Sequence, residues 1–147
     1  VEIDDAVRLR RAVHRLARAF NSVATDEGLT PTQASVLGTV VNAGPLTVAN
    51  LADIEHLNPT LLSRVIGKLV DAEYVQRRPD PNDLRSAIVE ATAAGRRLQK
   101  RVIAQRAAVL IDSAADLSAD ETQRLLAALP VLEKISGVEL PVDATSS

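Results

Sequence analysis

NPTLLSRVIGKLVDAEYVQRRPDPNDLR, residues 58–85, is the stretch from which the fold can be read. Asn58 followed by Pro59 predicts a helix start: the Asn side chain accepts from an orphan N–H, and proline at the first helical position has none to lose. Leu62, Val65, Ile66, Leu69 and Val70 then recur with a 3.6-residue period and form one buried stripe. Thr60, Ser63, Arg64, Gly67, Lys68 and Asp71 occupy the opposite face, where short hydroxyls, two cations and a glycine could lie against a nucleic-acid groove. Tyr74–Arg78 predicts a strand, Pro79–Asp83 a turn, and Arg85–Glu90 a returning strand.

Toward the C-terminus, Thr92 caps a long helix expected to reach about Asp116, with Leu98, Val102, Val109 and Ile111 apolar and five cations early in it. Ser118 and Glu121 form a capping box for a last helix carrying Leu125, Leu126, Leu129, Leu132 and Ile135, with a kink expected at Pro130. Toward the N-terminus, Thr47 caps a helix holding Val48, Leu51, Ala52, Ile54 and Leu57, and Leu46 supplies a short strand beside the hairpin. Thr30-Pro31-Thr32-Gln33 is another capping box, opening a helix that Ala43-Gly44-Pro45 ends. A first helix over residues 4–24 places Leu9, Val13, Leu16, Phe20 and Val23 on one face and Arg8, Arg11, Arg15 and Arg18 on another.

Helix, strand, proline- and aspartate-rich turn and strand in this order resemble the MarR family of winged helix-turn-helix transcription regulators. The residues that carry the resemblance are Asn58-Pro59-Thr60, Ser63-Arg64, Arg77-Arg78, the tip Asp80–Arg85, and Thr92-Ala93-Ala94-Gly95. It covers about the first 136 residues and implies a mostly α fold with a small β-hairpin wing, flanked by N- and C-terminal dimerisation helices. The expected division is 1–29, a dimerisation helix; 30–91, the winged helix-turn-helix lobe; 92–136, further dimerisation helices; and 137–147, a disordered tail. Glu73 stands where the family commonly has glycine, and Ala91 where it commonly has leucine.

On this pattern the helix after Asn58 enters the major groove of double-stranded DNA and the one before it crosses the backbone. The expected contacts are Thr47, Asn58, Pro59, Thr60, Ser63, Arg64 and Lys68 from the helices and Arg77, Arg78, Asp83 and Arg85 from the wing. Arg85 is the expected minor-groove residue, with the Asp83 carboxylate accepting from its guanidinium; the family's wings carry Asp-x-Arg at this place. Family members often bind phenolic or other lipophilic anions between the dimerisation helices and the lobe. His14, Arg15 and Arg18 are candidate groups near such a crevice, although a solvated helix face also accounts for them.

Charge and composition bound the alternatives. The net charge of −2 conceals a basic block: residues 58–106 carry +5, while 21–57 carry −4 and 107–147 carry −5. A charge run is ordinarily a solvated face, so the block supports DNA binding only through its position on the winged pattern. With no cysteine, thiolate metal sites and thiol redox sensing are excluded within the chain. No metal or cofactor is expected, nor an enzyme: the sequence has no nucleophile with a base, no phosphate loop and no His/Cys ligand spacing. Without a membrane-length apolar run or a signal peptide, the expectation is a cytoplasmic protein with no membrane partner. Amphipathic helices at both ends need a partner for their stripes, and a homodimer is the expected solution. The full reading is a ligand-responsive repressor on a pseudo-palindromic operator. The alternative is a winged-helix ligand- or protein-binding module without DNA.

Overall fold

The computed structural model describes residues 1–137; the expected tail lies, apart from Gly137, outside the described residues. Element order is α1 (Ile3–Asp26), α2 (Pro31–Ala43), β1 (Leu46–Thr47), α3 (Val48–Glu55), α4 (Pro59–Asp71), β2 (Val75–Pro79), β3 (Ala87–Ala91), α5 (Ala93–Ser113) and α6 (Ala119–Ser136). Residues 1–109 form one compact unit, and the described residues from Leu110 onward belong to a second.

The core of the first unit joins three helices to a sheet and the start of α5. Val36, Leu37 and Val40 of α2 meet Leu51 of α3, Leu62, Ile66 and Leu69 of α4, Val75 and Val89 of the sheet, and Leu98 and Val102 of α5. Each fully buried aliphatic side chain stabilises the fold by about 1.5–3 kcal/mol relative to exposure, before conformational entropy is counted. The sheet is antiparallel in the order β1-β3-β2. Gly95 permits α5 to lie against the end of α4: a Cβ there would sit 2.0 Å from the Tyr74 carbonyl oxygen.

Local signals set the helix starts. Thr30 and Gln33 bond reciprocally, Thr47 accepts from Asn50 N–H, and Asn58 accepts from Leu61 N–H. Three helix ends in this unit close through a residue of positive φ, Gly28 after α1, His56 after α3 and Glu73 after α4. In each, the next N–H reaches back five residues: Leu29 to Ala24, Leu57 to Ala52 and Tyr74 to Leu69. The left-handed position costs Gly28 nothing, whereas His56 and Glu73 carry a Cβ into it.

In the second unit, α5 ends at Ser113, short of the expected Asp116. Ala114, Ala115 and Leu117 donate to carbonyls three residues back, a tightened turn that leads into the Ser118 cap. Ser118 and Glu121 form the expected capping box. Those bonds, first from the Ser118 backbone N–H and then from its hydroxyl, hold the Glu121 carboxyl below its ordinary pKa. α6 continues as one helix through Pro130, and none of its residues is buried.

Other expectations shift by small amounts. α1 extends beyond 4–24 at both ends. Ile54 is 50% exposed, and Leu57 lies past the end of α3, because His56 already ends that helix. The hairpin strands begin one and two residues later than expected, so Pro79 pairs with Ala87 inside the ladder and Asp80 begins the turn.

Candidate nucleic-acid interface

Fixed helix ends aim the polar face of α4. α3 is tied to α2 because both Ser35 and Thr39 hydroxyls donate to the Glu55 carboxylate, the first at 2.8 Å. His56 then turns the chain so that Asn58 can cap α4, which buries Leu62, Val65, Ile66 and Leu69 and leaves Thr60, Ser63, Arg64 and Lys68 exposed. Asn58 and Thr47 each use a side-chain oxygen as a helix cap. Holding the Asn58 side-chain oxygen in the cap also fixes where its amide N–H groups point, while the Thr47 hydroxyl keeps a rotatable donor.

The wing stands on the same side. Arg77 donates to the Ser63 carbonyl at 3.2 Å, which joins β2 to α4. Arg78 and Gln76 both engage Glu90 on β3, Arg78 at 3.5 Å and Gln76 at 2.8 Å. Open to solvent on the arginine side, the Arg78–Glu90 pair contributes on the order of 1 kcal/mol or less. Between α3, the start of α4 and the wing lies an open cleft of about 420 Å³, lined among others by Val48, Ala52, Pro59, Ser63, Arg77 and Arg85. Four residues expected to act together, Pro59, Ser63, Arg77 and Arg85, are thus gathered around one cleft.

One geometric expectation is corrected. The Asp83 carboxylate accepts from the Arg85 backbone N–H at 2.9 Å, and among the described residues it forms no ion pair with the Arg85 guanidinium. A carboxylate two residues ahead of an N–H closes a local Asx turn more readily than it reaches back to a long side chain. Asp83 therefore sets the backbone of the tip and leaves the guanidinium free to leave it.

His14, Arg15 and Arg18 are exposed on α1 and do not line the crevice found near them. That crevice, about 300 Å³, is bounded by Ala17, Phe20, Asn21, Pro31, Ser35 and Arg106. Arg106 Nε donates to the Phe20 carbonyl at 3.3 Å, across 86 positions of sequence. No local pattern marks such a contact, which is why sequence reasoning passed over Arg106. Among the described residues there is no cluster of three or more His, Asp or Glu able to hold a metal ion, and no helix is long and apolar enough to cross a membrane.

The MarR family model matches residues 29–87, from just after α1 to the first residue of β3. An uncharacterized HTH-type transcriptional regulator of Mycobacterium leprae is 33% identical over 113 residues, 77% of this chain and 79% of the relative. The chain belongs to the MarR family. Members of the MarR family are transcription regulators, not enzymes. The HTH-type transcriptional repressor NicR of Pseudomonas putida is 33% identical over 65% of this MarR-family chain and 60% of its own. The crystal structure of RV1404 from Mycobacterium tuberculosis superposes with a TM-score of 0.80 at 26% identity, covering 97% of this chain and 99% of that one.

Proposed function

We propose that this MarR-family chain is a sequence-specific repressor that binds a pseudo-palindromic operator as a homodimer in the cytoplasm. The observation that carries the reading is the gathering of Ser63, Arg77 and Arg85 around one cleft, with Thr60, Arg64 and Lys68 exposed on the adjoining helix face. α4 enters the major groove with Thr60, Ser63 and Arg64 toward base edges, while Lys68, Arg78 and the capping residues Thr47 and Asn58 meet phosphate. Arg85 enters the neighbouring minor groove from the wing. Repression is supported by the likeness to NicR.

A second copy covers the apolar residues left open on the terminal helices, among them Leu9, Val13 and Leu16 of α1 and Leu125, Leu126 and Leu129 of α6. In this reading residues 1–29 and 92–136 serve dimerisation and 30–91 serve DNA. The crevice beside Arg106 takes a small phenolic or lipophilic anion, which competes with the Phe20 carbonyl for the guanidinium and lowers operator affinity. Selection of bound genomic fragments, followed by gel shifts on the enriched sites, tests the reading. Salt-sensitive, site-specific binding by a dimer is expected; no binding to any duplex would leave a module that recognises protein or ligand instead.

A further inference from the structure

The turn that closes the wing presents a leucine among guanidinium groups. Ser86 N–H donates to the Asp83 carbonyl at 2.9 Å, so Leu84 and Arg85 are the two central residues of a β-turn. Three further bonds hold that turn: Asp80 N–H to the Ser86 carbonyl at 3.2 Å, Asn82 N–H to Asp80 Oδ1 at 2.9 Å, and Arg85 N–H to Asp83 Oδ1 at 2.9 Å. Leu84 nevertheless remains 86% exposed. It borders a shallow hollow whose other walls include Arg77, Arg78, Pro79 and Arg85. A single exposed leucine on a protein surface needs no explanation. This one is fixed at the corner of a braced turn and has three arginines beside it, an apolar group inside a polyanion-seeking frame.

Resting on the reading that this wing docks on duplex DNA, we propose that Leu84 is a specificity-determining contact that enters the minor groove beside Arg85. The groove walls are deoxyribose C–H surface, which an isobutyl group can cover, while Arg78 answers a flanking phosphate. The floor of an A·T step has only acceptors and lies in a narrow groove; a G·C step adds the guanine 2-amino group, which stands in the path of an apolar side chain. Leu84 therefore discriminates by shape and desolvation, and Arg85 by charge.

The two contributions separate by salt. An arginine contact releases counterions and contributes to the slope of log K against log salt, whereas a leucine contact does not. Leu84→Ala is expected to lower operator affinity about five- to tenfold at fixed salt, from the apolar surface no longer buried. The salt slope and the thermal midpoint of the free protein stay as in the wild type. Leu84→Lys steepens the slope by about one and raises affinity for non-specific duplexes, while the G·C penalty under the wing shrinks as it does in Leu84→Ala.

The decisive measurement uses operators in which the A·T pairs under the wing, located by footprinting the full-length wild type, are changed to G·C or to inosine·C. Wild-type binding weakens with G·C and recovers with inosine, which lacks the 2-amino group; in Leu84→Ala the G·C penalty shrinks. Wild-type affinity in Leu84→Ala, or an undiminished G·C penalty, overturns the inference while leaving DNA binding intact. Failure of the wild type to bind any selected duplex overturns both.

Discussion

The Thr92 hydroxyl donates to the Glu73 carbonyl at 2.6 Å and accepts from Gly95 N–H at 3.0 Å, so one oxygen caps α5 and ties it to the end of α4. The Thr92 N–H adds a bond to the Tyr74 carbonyl at 3.1 Å. The end of α4, the base of the wing and the start of α5 are thus joined through one side chain. Thr92→Ala is expected to lower stability by about 1–2 kcal/mol, from the lost cap and the lost bond together. Thr92→Ser should retain most of it. Urea unfolding of the two variants is the check, and equal losses would contradict the hydroxyl's role.

Glu73 holds a φ of 62°, a region in which a Cβ is penalised. Glycine there gives up no helix bond, because Tyr74 N–H still reaches the Leu69 carbonyl. Glu73→Gly is expected to stabilise by about 0.5–1 kcal/mol, the relief of strain exceeding the added freedom of the unfolded chain. Denaturant midpoints at constant m-value would show it; a loss of stability would mean that the carboxylate itself contributes.

Arg64 and Lys68 are both exposed on α4, one turn apart. Arg64→Ala should cost about 1–3 kcal/mol on specific operators if its contact is bidentate to guanine, with little effect on non-specific duplex. Lys68→Ala should weaken all duplexes alike and lower the salt slope by about one. Titrations at several salt concentrations distinguish them, and a base-position-specific effect at Lys68 would reverse the assignment.

Asp83 acts on backbone rather than on the guanidinium, which changes what its variants should do. Asp83→Asn keeps an oxygen for the Arg85 N–H and should bind operator nearly as the wild type does. Asp83→Ala releases the turn and should reduce affinity, though less than Arg85→Ala, since a loosened tip must be reordered on binding. Parallel gel shifts test the ranking; an Asn variant as weak as the Ala variant would indicate that the carboxylate charge matters.

The Glu121 carboxyl is held below its ordinary pKa by Ser118, so its folded value is lower than its unfolded one. Its capping contribution is accordingly present at neutral pH and is lost as pH falls through the folded pKa. An NMR titration should find the Glu121 side chain protonating at lower pH than an ordinary glutamate, and Ser118→Ala, which keeps the backbone N–H and removes only the hydroxyl bond, should move it part of the way back up.

The elements of this protein were legible in the sequence because their causes are local. Thr30, Thr47, Asn58, Thr92 and Ser118 each announce a helix within four residues of themselves, and the stripe Leu62, Val65, Ile66, Leu69 needs only a 3.6-residue period to be seen. Likewise the hairpin turn follows from proline, aspartate and asparagine clustered between two strand-forming segments. What tertiary structure alone decided is which groups meet across long separations or compete within a turn. Glu55 accepting from Ser35 and Thr39, Arg106 reaching Phe20 in place of His14, Arg15 and Arg18 at the crevice, and Thr92 bonding Glu73 join positions 16 to 86 residues apart. No periodicity encodes them, since they depend on where packing of the core brings helix faces together. The Asp83 carboxylate had two acceptable donors in sequence, a backbone N–H and a guanidinium, and the folded turn gave it the nearer one, because a short local bond costs less side-chain entropy than an exposed ion pair.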